Sequence, residues 1–227
     1  MTIRRSFLIC MAALISTAGS SRASTVLYTD RAEFESKLIA PTTIDFNDQV
    51  IPPDLYTNYA PYPGGTVTLA GVTFTAKTDA YLYAVDPAYA PGTYGLGDGV
   101  VLSWQYNVGA SNELRIDLPA DTLAVGFDFG KSLGSDSFRF RFTMANLESF
   151  ELDSQAAAAF AGFISDSPLQ KLLIYVPENS IGQLDRFVFA SQVNSGNVPV
   201  PEPASIALTV CGLGLLGAYR RRQRVIA

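Results

Sequence analysis

From residue 113 onward the chain alternates between apolar and polar positions. Leu114, Ile116 and Leu118 are interleaved with Glu113, Arg115 and Asp117. Leu123, Val125, Phe127 and Phe129 are interleaved with Ala124, Gly126 and Asp128, and Phe138, Phe140, Phe142 and Met144 with Ser137, Arg139, Arg141 and Thr143. A period of two sends one set to each face of a strand. Further runs rich in β-branched and aromatic residues occur at 43–46, 67–76, 81–85, 100–104, 160–165, 171–176 and 184–190, separated by Gly, Pro and Asp. The pattern predicts an all-β fold, an antiparallel β-sandwich of jelly-roll-like form, as a single domain over 24–193. One short N-terminal helix is signalled: Asp30 as its cap, Glu33 at the third helical position, and Phe34 and Leu38 on one face.

One hairpin is predicted in register. A three-residue loop at Ala145, Asn146 and Leu147 sets Phe142 opposite Phe150 and Phe140 opposite Leu152. The same register sets Arg141 opposite Glu151 and Arg139 opposite Asp153, whereas a slip of one residue loses both the apolar and the charged pairs. These arginines are therefore expected in solvated cross-strand ion pairs.

The two ends follow other rules. Arg4 and Arg5 precede an uncharged apolar stretch at 7–18, and Ser21 and Ala23 supply small residues at positions −3 and −1. Residues 1–23 therefore predict a secretory signal, cut by signal peptidase between Ala23 and Ser24. At the other end a polar linker, 194–200, leads to Pro201, Glu202 and Pro203, an uncharged run at 204–219, and Arg220, Arg221, Arg222 and Arg224. A 16-residue helix spans about 24 Å against a hydrocarbon core of roughly 30 Å, and Tyr219 with snorkelling arginines makes up part of the difference. Charge at both ends predicts cytoplasmic termini and an exported body, with the C-terminal helix as its membrane attachment before processing. Gly212, Gly214 and Gly217 match the spacing of a dinucleotide-binding turn, but they follow no strand and lie inside the apolar run.

The tripeptide, the short apolar helix and the arginine cluster, in that order, resemble the PEP-CTERM sorting signal, here 201–227. The resemblance implies a Gram-negative envelope, recognition by exosortase, cleavage near Pro201, Glu202 and Pro203, and a link to exopolysaccharide. It makes those three residues and Arg220, Arg221 and Arg222 recognition elements of a substrate. The order of features in the body, including 124–127, 163–167 and 184–189, is similar to that of many PEP-CTERM proteins of unassigned function, and implies no catalytic residues.

Composition narrows the chemistry. The chain has no histidine, and its two cysteines, Cys10 and Cys211, lie in the terminal apolar runs. Histidine-dependent nucleophile systems, Cys/His zinc sites and a disulfide framework in the body are excluded. Residues 24–200 hold 20 acids and 9 bases, a formal charge of −11. Such a body repels nucleic acid. Seven of the eleven tyrosines fall between 54 and 94: Tyr56, Tyr59, Tyr62, Tyr81, Tyr83, Tyr89 and Tyr94. Their flat rings with a polar tip suit stacking on sugars or on protein surfaces, against a plain covering role for an irregular segment. Asp45, Asp48 and Asp185 are candidate calcium ligands, without an EF-hand loop to support them. Carboxylate pairs for glycoside hydrolysis, Asp45 with Asp48 or Asp128 with Asp136, have no selective spacing, and Asp128 is expected at the surface. The expected function is a non-catalytic envelope or matrix protein, possessing no cofactor and contacting exopolysaccharide through the tyrosines. A polysaccharide hydrolase or lyase using carboxylates or tyrosine is the alternative.

Overall fold

Period-two segments pair edge to edge, and their apolar faces close on one another. The computed structural model describes residues 24–50, 56–59, 65–77, 80–89, 96, 99–106, 112–132, 138–154, 159–176 and 181–194. These lie within one compact unit, Ala23–Gly196. The expected signal peptide with Ala23, the linker from 195, and the sorting segment with its helix and arginines lie outside the described residues. Among the described residues no helix is long and apolar enough to cross a membrane.

The elements are β1 (Thr25–Tyr28), α1 (Arg31–Glu35), β2 (Leu38–Ile39), β3 (Thr42–Ile44), β4 (Tyr56–Asn58), β5 (Thr66–Leu69), β6 (Val72–Ala76), β7 (Ala80–Val85) and β8 (Val101–Tyr106). They continue as β9 (Asn112–Asp117), β10 (Ala124–Ser132), β11 (Phe138–Met144), β12 (Ser149–Ser154), β13 (Ala159–Ser165), β14 (Lys171–Val176), β15 (Ile181–Ala190) and β16 (Gln192–Val193). The large sheet runs β1-β13-β10-β15-β8-β7-β4, with β3 also paired to β15; the second sheet runs β12-β11-β14-β9-β6-β5, and β16 pairs with β2. All pairings between these strands are antiparallel.

From β8 to β15 the chain crosses between sheets at every step except the β11–β12 hairpin. The first of these strands, β8, lies beside the last, β15, and β9 lies beside β14. This nested order is that of a jelly roll. The expected fold class is the observed one.

Inward residues of both sheets meet in a phenylalanine-rich core. Phe127 and Phe129 from β10 face Phe140 and Phe142 from β11, with Phe129 and Phe140 edge to face at 4.7 Å. With no cysteine in the described body, and so no disulfide, this apolar burial carries the fold, each fully buried large side chain contributing about 1.5–3 kcal/mol.

The predicted hairpin register is found residue for residue, Phe142 opposite Phe150 and Arg139 opposite Asp153. Arg139 pairs with Asp153 at 3.0 Å and with Glu151 at 3.6 Å. Arg141 departs from the expected ion pair: opposite Glu151 by register, its guanidinium lies 4.5 Å from the centre of the Tyr175 ring, a cation–π contact. The run at 67–76 is two strands rather than one. Ala70 and Gly71 turn the chain with φ of 48° and 83°, and a turn opened by alanine carries no sequence signal.

The helix is capped as expected, the Asp30 side chain accepting from the Glu33 N–H at 2.8 Å. It ends at Glu35, so Leu38 lies in β2 instead of on the helix. Its fully buried residue is Phe34, which covers the outer face of the large sheet. Gly126 and Gly162 are directly opposite one another on β10 and β13. A Cβ on either comes within 2.6 Å of the Phe34 ring. The two glycines are the seat of that ring. Gly162→Ala is expected to lose about 2–3 kcal/mol of stability by overpacking, measured by urea denaturation. In a Phe34→Ala background the same change should cost less, because the nearer opposing ring is gone and only the edge of Phe160, at 2.9 Å, has to shift.

Candidate functional site

The tyrosine-rich segment forms one border of the large sheet. On β7, Ala80, Leu82 and Ala84 point into the core, so Tyr81, Tyr83 and Val85 occupy the outer face. Tyr56 is paired with Val85 and Asn58 with Tyr83, which puts Tyr56 on that same face. Tyr89, at the end of a 3-10 turn over Pro87–Tyr89, brings its ring within 5.0 Å of Tyr56. Both rings are half exposed, Tyr56 at 49% and Tyr89 at 50%. Tyr81 and Tyr83 have ring centres 6.5 Å apart. Four of the expected tyrosines therefore share one surface.

Tyr59 stands apart from that surface. It packs against the core, and its hydroxyl donates to Gln49 at 3.1 Å. Burial first, and the Asp48 charge second, push its hydroxyl up to about 12. Tyr62 and Tyr94 lie outside the described residues.

Reading the sequence missed a buried ionic cluster on the outer face of the large sheet. Asp128 does alternate outward, as its position predicts, yet it is buried rather than at the surface. The strand pairing sets it directly opposite Asp185, which is also buried. Arg31 reaches from α1 to the Asp128 Oδ1, with Nη2 at 2.9 Å and Nε at 3.2 Å. Arg186 closes on Oδ2 from the other side through Nε and Nη2. Between Asp185 and Val188, β15 carries one residue more than β10, and Arg186 takes φ 45° there. Such a bulge re-aims a side chain, here onto the face that holds Asp128.

A cleft of about 440 Å³ opens beside this cluster, lined by Thr29, Arg31, Asp128, Leu152, Asp153, Phe160 and Arg186. Arg31 also lies 4.7 Å from the Phe160 ring centre and donates to the Arg186 carbonyl. Both oxygens of Asp128 thus hold guanidinium groups. The arrangement fastens α1 to the bulge, and leaves this carboxylate occupied as an acceptor.

The other carboxylate candidates are not brought together. Asp45 accepts from the Asn47 N–H and Asp48 from the Gln49 side chain, and Asp136 lies outside the described residues. Among the described residues no group of three or more acids, cysteines or histidines is placed to hold a metal ion. Asp45, Asp48 and Asp185 therefore form no calcium cage there.

Asp185 departs from the ordinary carboxylate range. Burial, aided by the Asp128 charge, pushes its carboxyl from 3.8 to about 6, against the lowering effect of the Arg186 N–H and both guanidiniums. The folded value lies above the unfolded one, so the unfolded chain loses this proton first as pH rises. Stability falls between about pH 4 and pH 6. Asp185→Asn keeps an acceptor for the Arg186 N–H and has no proton to release. The variant is expected to match the wild type in urea titrations at pH 4 and to exceed it above pH 6. An offset independent of pH would contradict this assignment.

Residues 199–223 match the family model described as the PEP-CTERM protein-sorting motif. The motif indicates an exported protein sorted at the cell envelope. No curated protein matches the chain. Among solved structures, an arginine-to-alanine variant of CBM29-2, a family 29 carbohydrate-binding module, is 14% identical, covering 71% of this chain and 100% of its own at a TM-score of 0.28. TmCBM61 in complex with β-1,4-galactotriose is 15% identical, covering 59% and 97% at a TM-score of 0.28. Likenesses at that TM-score carry no weight for fold or ligand, and the fold stated above rests on this chain's own topology.

Proposed function

We propose that this is a non-catalytic protein of the envelope or extracellular matrix, delivered by its signal peptide and processed by exosortase near Pro201, Glu202 and Pro203. Its sandwich contacts exopolysaccharide through the tyrosine surface. The observation that carries the sugar reading is the Tyr56–Tyr89 pair, two half-exposed rings 5.0 Å apart on the border of the large sheet. Exposed rings with polar tips give a sugar an apolar face to stack on and hydroxyls to bond. Body charge selects the polymer. At −11, with no arginine between Glu33 and Glu113, the body disfavours uronate-rich chains and suits neutral ones.

The rival reading, a polysaccharide hydrolase, has one observation in its favour: the Asp128–Asp185 pair with its raised Asp185. Against it, Asp185 is 4% exposed and absent from the cleft wall, while Asp128 is held by two arginines. A general acid must reach its substrate.

Affinity electrophoresis of the exported protein in gels containing neutral or uronate-rich polysaccharide tests the proposal. Retardation is expected in the neutral polymer, and Tyr56→Ala or Tyr89→Ala should weaken it about tenfold, the loss of roughly 1.4 kcal/mol. Release of reducing ends or unsaturated sugars, abolished by Asp185→Asn, would instead establish the rival.

A further inference from the structure

The first described residue makes a contact whose chemistry changes with processing. The Ser24 backbone N–H donates to Asp166 Oδ1 at 3.1 Å, and the Asp166 N–H returns a bond to the Ser24 carbonyl at 3.3 Å. This closed ring of bonds lies where β1 begins, one step before the Thr25–Ser165 pair. Asp166 sits in the bend that follows β13, and the bend is held independently. Ser165 N–H donates to the Leu123 carbonyl, and Ser167 N–H to the Ser165 hydroxyl at 3.3 Å. Asp166 is exposed and has no ion pair among the described residues.

We infer that Asp166 is the seat of the mature N-terminus, pairing with the α-ammonium of Ser24 once the signal peptide is removed. The inference goes beyond the proposed function and rests on the cleavage position read from the sequence. Hydrolysis breaks the Ala23–Ser24 peptide bond; water supplies hydroxyl to the Ala23 carbonyl and hydrogen to the Ser24 nitrogen, which takes a further proton from solvent. One amide donor becomes a charged group with three donors, already within hydrogen-bond distance of an unpaired carboxylate. Charge-assisted bonds are roughly twice as strong as neutral ones. The body around it carries −11, so the added positive charge meets no excess of cations.

The consequence reaches the covered face. β1 is the outermost strand of the large sheet, and Tyr28 at its end packs on Phe34 at 5.9 Å. Fixing Ser24 fixes the start of the strap that carries Phe34 and Arg31. Signal-peptide removal then adds a charged bond to a strap that the β1–β13 pairing and the Phe34 seat already hold.

The test uses the full chain exported from a Gram-negative host. Mass spectrometry of the N-terminal peptide locates the cut, and reductive methylation with 13C-formaldehyde, followed over pH by NMR, titrates the new amine. The peptide is expected to begin at Ser24, and its amine to titrate above the ordinary range of about 7.7–8.0. At pH 8 it should react about threefold more slowly than in Asp166→Asn. Raising salt from 0.05 to 1 M should return the amine toward its ordinary range, and by more in the wild type than in Asp166→Asn, since the surface pair is screened along with the general field of the body. A peptide beginning elsewhere overturns both the cut and the seat. A peptide beginning at Ser24, with equal rates and an equal response to salt in both proteins, overturns the seat and leaves the cut standing.

Discussion

The ring of Phe34 rests on two facing glycines, and that contact decides which face of the large sheet meets water. Without a side chain at Gly126 or Gly162, the ring lies close against the backbone of β10 and β13. The strap from β1 through α1 then covers the sheet, and Arg31 is delivered to Asp128. A carboxylate buried without partners costs several kcal/mol. Two guanidiniums and a bulge supply those partners here. The left-handed Arg186, costing about 1–2 kcal/mol, makes sense only because Asp128 is covered.

Covering is partial, and the remainder sets the division of labour between faces. Val85, Leu96 and Val101 form a second small apolar cluster on the outer side of the large sheet. Beyond it the border at β4 and β7 is left with tyrosines. The second sheet instead turns a mostly polar face to solvent: Thr66 opposite Thr75, Thr68 opposite Thr73, and Arg115 bonded to Asp117, with Leu173 and Tyr175 of β14 among them. Those groups satisfy one another, which leaves them little to offer a ligand. The half-exposed rings of the tyrosine border have apolar area that water does not reward.

Much of this was legible in the chain. Alternation in β9, β10 and β11 is strong because each strand has one wet or covered side and one core side, and the hairpin register followed from paired phenylalanines and paired charges. The cap at Asp30 was equally plain. The ionic cluster was not, since partners at 31, 128, 185 and 186 are brought together only by the jelly-roll wrap. A signal was present all the same. The outward neighbours of Asp128 are Ala124, Gly126 and Gly130, and an outward row that is small instead of polar marks a covered face. Tyr56 and Tyr59 differ in fate although they are three residues apart, because strand parity, which composition cannot supply, puts one outside while the other packs on the core.

The proposed function puts a sugar polymer on the tyrosine border of the body. Protein with isotopically labelled tyrosine rings, titrated with fragments of a neutral polysaccharide and observed by NMR, reads this residue by residue. The rings of Tyr56 and Tyr89 should shift first, followed by Tyr81 and Tyr83, while Tyr59 in the core side and Tyr175 under Arg141 stay in place. Shifts confined to Tyr175, on the opposite sheet, or to Tyr28, beside Phe34 and the covered face, would contradict it.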